Sequence, residues 1–314
     1  MNTTPDTGFD GITALSDTGL IRARGADAAS FLQGQLTNDV ATLGPAQARL
    51  AGFCSAKGRL QASFIFWKQA PDELLLACAA GVLPATLKRL SMFVLRAQCK
   101  LSDAGTELRL FGAAGESARR WFGDLPVWGR RALDDGATLV RLPDVDGVPR
   151  CLAALGAGLS VPAAPALRPA LWRLLEVRSG IPVIEPETVD QFVPQMLNYE
   201  VVGGVDFRKG CYPGQEVVAR SQYRGTIKRR MFLFEADSIA VPGQEVFHDG
   251  DATQPAGMVV NVAPLPTGAG CTALVEVKLA ALESGRLHLG SVDGAVLRPA
   301  ALPYAVPSEA QQPA

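Results

Sequence analysis

Histidine is nearly missing from this chain of 314 residues, where His248 and His288 are the only two. A histidine triad or an imidazole-based metal site has almost nothing to build on, and both residues read as surface histidines. An excess of one charge is missing as well. Thirty Lys and Arg stand against 31 Asp and Glu, a net charge of −1, so no global field draws nucleic acid or an anionic membrane. No uninterrupted apolar run approaches the ~20 residues of a membrane span, and Met1 to Asp10 is polar rather than a basic leader followed by an apolar one. These absences set the expectation of a cytoplasmic protein with no membrane partner. The six cysteines (Cys54, Cys78, Cys99, Cys151, Cys211, Cys271) are scattered with no C-x-x-C pair, which argues against a zinc site or a self-contained cluster cage. No metal ligand set is expected.

What is there is a well-cored chain, 48% hydrophobic and 19% charged, and long enough for two or three domains. Residues 12–24 alternate apolar and polar, as a strand does. Gly25 and Asp27 then mark entry to a short helix carrying Phe31 and Leu32 inward, with Asp27 as its N-cap or first-turn acid. Lys57-Gly58-Arg59 reads as the turn of a strand pair. A helix is expected over 85–96 with Leu87, Leu90, Phe93 and Val94 on its inner face, and others over 116–122 and 170–178. Gly156 to Pro169 has the Ala, Pro and Gly content of a connector. After it, Pro182, Pro186 and Pro194 punctuate an irregular stretch from Ile181 to Glu200. Beyond Arg230, short strands at regular spacing predict a small β-barrel or sandwich.

One stretch concentrates chemistry: Phe207-Arg208-Lys209-Gly210-Cys211-Tyr212-Pro213-Gly214-Gln215-Glu216. Pro213-Gly214 is a turn signal that presents Cys211 and Tyr212 on a loop. Arg208 and Lys209 are cations beside the sulfur, and nearby cations favour the nucleophilic thiolate. The competing reading is a small buried cysteine next to a tight turn. From Arg208 to Arg230 there are seven cations and one acid, Glu216, a local charge of +6. Such a run holds the carboxylates of an anionic ligand or a nucleic-acid backbone, or else pairs with acids elsewhere in the fold. Sequence signatures of RNA-binding modules are missing, so direct nucleic-acid contact is not expected.

The Lys-Gly-Cys-Tyr-x-Gly-Gln-Glu run resembles the signature of the YgfZ family of folate-binding proteins. Similar in order to that family's other segments are Phe31-Leu32-Gln33-Gly34-Gln35-Leu36-Thr37-Asn38-Asp39-Val40, Phe53-Cys54-Ser55-Ala56-Lys57-Gly58-Arg59, and Phe192-Val193-Pro194-Gln195-Met196-Leu197-Asn198. The likeness covers residues 12 to 230 and is loose in the C-terminal third.

The resemblance implies an α+β chain of three domains in a ring around a central hole, as in the aminomethyltransferase (T-protein) of glycine cleavage. The first domain is expected to gather 10–50 and 157–225, the second to be an α+β unit over 51–156, and the third a β-barrel over 226–302, before a flexible tail at 303–314. It implies tetrahydrofolate or a derivative as cofactor, and iron–sulfur enzymes or their assembly proteins as partners, tRNA-modifying radical enzymes among them. Cys211 is then the working thiol, assisted by Lys209, with Gly210, Tyr212, Gly214, Gln215 and Glu216 supporting its loop. Asn38, Asp39, Arg178, Gln195, Asn198, Arg220 and Arg224 are the expected folate contacts. Where aminomethyltransferases carry Gly-x-x-Asp-Asp, this chain has Gly58-Arg59-Leu60-Gln61-Ala62, without an ionisable pair. Their Arg-x-Glu-Ala-Gly aligns with Glu176-Val177-Arg178-Ser179-Gly180, placing Arg178 where the pterin-holding acid is expected. Glycine-cleavage chemistry is therefore not expected. The readings left open are a folate-binding accessory factor, a one-carbon (aminomethyl) transferase with substituted groups, and a partner-binding scaffold without folate.

Overall fold

The computed structural model describes residues 8–133, 136–223 and 227–307. Its framework is two five-stranded sheets and a closed six-stranded barrel. The first sheet takes β2 (Thr18–Arg24), β3 (Ala48–Cys54), β4 (Leu60–Ala70), β5 (Glu73–Ala79) and β6 (Lys100–Asp103) in the order β3-β4-β5-β2-β6. Successive residues of β4 leave opposite faces. Ala62, Phe64 and Phe66 therefore enter one core while Ile65 and Trp67 enter another. The first of these cores is closed by α1 (Ala28–Gln33) and α2 (Leu83–Ser91), through Phe31, Leu32, Leu83 and Leu90.

The second sheet runs β1-β7-β10-β9-β8, from β1 (Gly11–Ala14), β7 (Leu108–Ala114), β8 (Arg130–Ala132), β9 (Thr138–Val145) and β10 (Val148–Gly156). In β10, Leu152 and Ala154 turn to the core shared with the first sheet. Cys151, Ala153 and Leu155 face the opposite core, beneath α3 (Gly115–Phe122). Strand pairing thus divides the chain differently from the expected boundary at residue 51. β2 pairs with β5 and β6, while β1 crosses to β7 in the other sheet.

Helix α4 (Pro169–Arg178) is apolar on several sides because it is a wedge. Leu171, Trp172 and Leu175 join the core between the sheets. Leu174 and Val177 join a third core with Met231, Leu233, Val260 and Leu274 of the barrel. The barrel closes in the order β11-β14-β13-β12-β15-β16. Its strands are β11 (Arg229–Ala236), β12 (Glu245–His248), β13 (Gly257–Pro264), β14 (Cys271–Lys278), β15 (Leu287–Leu289) and β16 (Val296–Ala300).

Between α4 and the barrel the chain is irregular, with short 3-10 turns at Pro186–Thr188 and Pro194–Leu197 and hydrogen-bonded turns through 198–204, before α5 (Gln215–Tyr223). Four local expectations change. Asp27 makes no side-chain cap to α1; its carboxylate accepts the backbone N–H of Gln98 instead, at 2.7 Å. Helix α2 stops at Ser91, and Phe93 is exposed rather than inward. His248 and His288 are half-buried, each with a ring nitrogen at a backbone carbonyl, those of Ser284 and Gly294. The start of the expected tail is anchored, since the Tyr304 hydroxyl donates to the Gly180 carbonyl at 2.7 Å; residues 308–314 lie outside the described residues.

Candidate functional site

The loop before α5 alternates inward and outward. Lys209 and Tyr212 are both buried, and the Lys209 ammonium lies 4.8 Å from the centre of the Tyr212 ring. Lys209 donates to the carbonyls of Gln33 and Leu36, where α1 ends and leaves carbonyls without helical partners. Burial lowers the ammonium to about 8, against the opposing pull of Asp39, Asp206 and Cys211. Cys211, between these two anchors, is exposed, whereas Cys54, Cys78, Cys151 and Cys271 are buried and Cys99 is half-buried. Burial pushes the Cys54, Cys78 and Cys151 thiols up to about 12, away from reactivity.

Gly214 docks this loop on the β3–β4 turn. Its φ is +79°, and a Cβ there would lie 2.3 Å from the Ser55 carbonyl oxygen and 2.6 Å from the Gly58 Cα. Gly58 is equally constrained, with φ at +71° and its Cβ position 2.8 Å from Val217. Two sequence motifs far apart in the chain therefore meet through a pair of glycines that only glycine can form. Gly210 differs, because a Cβ there would meet nothing within 4 Å. Gln215 and Glu216 form the first turn of α5, where an acid suits the helix dipole, and the Gln215 N–H donates to the Tyr212 carbonyl at 3.2 Å.

Beside the thiol loop lies a cavity of about 1360 Å³, lined by Asn38, Asp39, Arg49, Phe207, Lys209 and Gly210 among others. Asn38 donates to the carbonyls of Leu50 and Gly203, both at 2.7 Å, and thereby sews its wall. Burial raises the Asp39 carboxyl, but hydrogen bonds from Thr42 and the Ala41 amide outweigh it and leave the group below its ordinary range.

Leu50 also lines a second cavity, of about 460 Å³, between the two sheets, α4 and the 181–187 segment. Ile65, Ala77, Leu142 and Leu152 supply its apolar walls, and Trp172 and Glu176, one helical turn apart, project from α4. A Cβ on Gly112 would sit 2.6 Å from the Trp172 ring, so that glycine in β7 makes the space the indole fills. The buried Trp172 Nε1–H is turned toward the Glu176 carboxylate, an interaction that favours the charged acid. Burial pushes the Glu176 carboxyl up to about 7 despite Arg173, 3.8 Å away, while a quarter of the side chain stays accessible in the cavity it lines. Arg173 is itself held by Glu185 and the Val262 carbonyl. Behind Trp172, the buried Arg150 lies 5.8 Å over the indole, lowered to about 10 by burial.

The structure brings Cys211, Lys209, Gly210, Asn38 and Asp39 to one place and disperses the other expected folate contacts. Gln195 and Asn198 are fully buried and structural: Gln195 Nε2 donates to the Val218 carbonyl and Asn198 Nδ2 to that of Met231. Arg178 faces away from the second cavity, 3.3 Å from Asp146 and 3.6 Å from Glu235. Residues two apart on a helix lie on opposite sides, so the cavity acid is Glu176 and not the position occupied by Arg178. The pairing of Trp172 with Glu176 at i,i+4 was the signal in the sequence. Arg220 is exposed on α5, and Arg224 lies outside the described residues. The basic run is no continuous patch: Lys209 is capped by carbonyls, Arg229 pairs with Glu276, and the buried Arg230 pairs with Glu200. Among the described residues no group of three or more metal-ligating side chains forms, and no helix is long and apolar enough to cross a membrane.

No family model matches the chain. Curated relatives do. The tRNA-modifying protein YgfZ of Edwardsiella ictaluri is 32% identical over 237 residues, covering 71% of this chain and 70% of its own. That of Colwellia psychrerythraea is 33% identical over 232 residues, covering 71% and 70%, and that of Klebsiella pneumoniae is 29% identical over 275 residues, covering 82% of each. Among solved structures, the glycine cleavage system aminomethyltransferase T of Bartonella henselae superposes with a TM-score of 0.75 at 17% identity. That match covers 97% of this chain and 87% of the other, and it establishes a shared fold. On the strength of its relatives, the chain belongs to the YgfZ family.

Proposed function

We propose that this protein is a tetrahydrofolate-binding accessory factor in tRNA modification, supporting iron–sulfur enzymes through Cys211. What carries the reading is one presented thiol beside a large cavity, with a second, acid-bearing cavity that also borders Leu50. This second cavity fits a pterin. A flat heteroaromatic ring suits walls of Ile65, Leu142 and Leu152, and the adjacent amino and ring N–H groups of a pterin match the two oxygens of Glu176. The Trp172 N–H faces the same carboxylate and favours its charged, accepting form. Bound there, the folate would supply one-carbon chemistry; this chain's residues bind, orient and enclose it. Thiolate sulfur is a soft donor suited to iron, which fits an exposed Cys211 to iron–sulfur clients. The six free thiols suit a reducing cytoplasm, the setting we propose. Aminomethyl transfer is not favoured, because Gln61 and the fully buried Ala62 stand where such enzymes carry their carboxylates.

Two measurements test the reading. Equilibrium dialysis against tetrahydrofolate should show binding that Glu176→Gln weakens; absence of binding by the wild type removes the folate role. Mass spectrometry of tRNA nucleosides from cells carrying only Cys211→Ser should show loss of an iron–sulfur-dependent modification; an unchanged nucleoside profile removes the thiol role.

A further inference from the structure

The segment after α2 is free of acids and exposes large apolar side chains. From Leu74 to Ser102 there is no Asp or Glu, while Lys88, Arg89, Arg96 and Lys100 all fall within it. Past Ser91 the backbone turns tightly, with Phe93 N–H donating to the Leu90 carbonyl at 3.0 Å and Val94 N–H to that of Ser91 at 3.2 Å. Val94 and Ala97 pack down on the first core. The same turn leaves Met92 61%, Phe93 38% and Leu95 87% exposed. Arg89 lies 5.3 Å over the Phe93 ring, and all four cations are exposed. Hydrophobic side chains held out by an ordered turn, among four exposed cations and with Asp27 the acid that reaches the segment at Gln98, mark an interaction surface.

This knuckle is tied to the Cys211 loop through α1. Asp27, just ahead of α1, accepts the N–H of Gln98, and Lys209 donates to the carbonyls at the helix's other end. α1 has six residues and is therefore about 9 Å long. Knuckle and thiol loop are thus anchored at the two ends of one short helix.

We propose that Met92, Phe93 and Leu95 dock into an apolar pocket with an acidic rim on a partner protein, and that the docked partner's reacting centre is thereby presented to Cys211. The inference rests on Cys211 being the working thiol. Two aliphatic tips favour a protein pocket over RNA, whose unpaired bases are recognised by aromatic stacking. An anionic bilayer would accept the same tips and charges, but would not require the link to the thiol loop.

The test uses the full chain with a photo-crosslinking benzophenone side chain at position 95 or at position 208, in cells lacking the native copy. One acidic protein should crosslink from both positions. The yield from position 95 should fall about tenfold when Arg96→Glu and Lys100→Glu are combined, with melting temperature unchanged. Cys211→Ser should keep the crosslink while losing tRNA modification; a crosslink that persists where Cys211→Ser changes no nucleoside would leave the docking surface standing and remove only the thiol's role. Different partners from the two positions, no protein crosslink, or an undiminished crosslink after charge reversal overturns the proposal. So does flotation of the purified protein with phosphatidylglycerol–phosphatidylcholine vesicles that charge reversal abolishes, which assigns the knuckle to lipid.

Discussion

Cys211 owes its exposure to its neighbours. Lys209 and Tyr212 bury themselves on either side, and the sulfur is left outside with little to lose on substitution. Cys211→Ser should therefore shift stability by no more than about 0.5 kcal/mol, the range of exposed sites, as read by urea melts, while the nucleoside profile changes. Glu176 is the opposite kind of residue. Glu176→Gln should weaken tetrahydrofolate on the order of ten- to a hundredfold, the worth of a charge-assisted pair at about 1.5–3 kcal/mol. A sign follows for pH. Burial raises the Glu176 carboxyl from 4.5 to about 7, so between those values the folded chain holds more protons than the unfolded one. Stability falls as pH rises through that window. Glu176→Gln should gain on the wild type across it, in urea melts at pH values near each end, whereas folate binding by the wild type should tighten as the carboxylate forms. Parallel melts at both ends would refute the assignment.

Elements meet here through small contacts that a single methyl would break. Gly214→Ala forces alanine into a left-handed backbone and into the Ser55 carbonyl, a cost of about 2 kcal/mol or more. Gly210→Ala, four residues earlier, meets open space and should leave the melting temperature unchanged. Thermal melts of the two variants check the contrast; equal losses would mean the loop is not docked by its glycine pair. The loop and its turn were legible in the sequence from Pro213-Gly214 and Lys57-Gly58-Arg59, since turn chemistry is local. Their contact was not, because more than 150 residues separate Gly58 from Gly214. Likewise apolar spacing marked α2, and Pro169 with Gly180 and Pro182 marked α4, but the spacing ran α2 on through Phe93, which tertiary contacts leave exposed.

At the scale of the molecule, Arg230 couples the barrel to the central loop. It is 1% exposed and donates to the Gln195 carbonyl, to Asn198 Oδ1 and to Glu200. Arg230→Met would leave Glu200 buried without its partner, a loss of about 3–5 kcal/mol. Urea denaturation should show it, and an unchanged midpoint would mean that this pair does not join the two bodies. By itself the sequence determined the α+β class, the C-terminal barrel, the family motifs and the thiol that stands out among six. Only the tertiary structure decided that β1 and β2 part into different sheets, that Glu176 rather than the Arg178 position faces the cavity, and that half of the described cations in the basic run are spent inside the fold. The reason is physical. Periodicity and turn chemistry are properties of neighbours along the chain, whereas burial, partner and charge state are set by groups that only folding brings together.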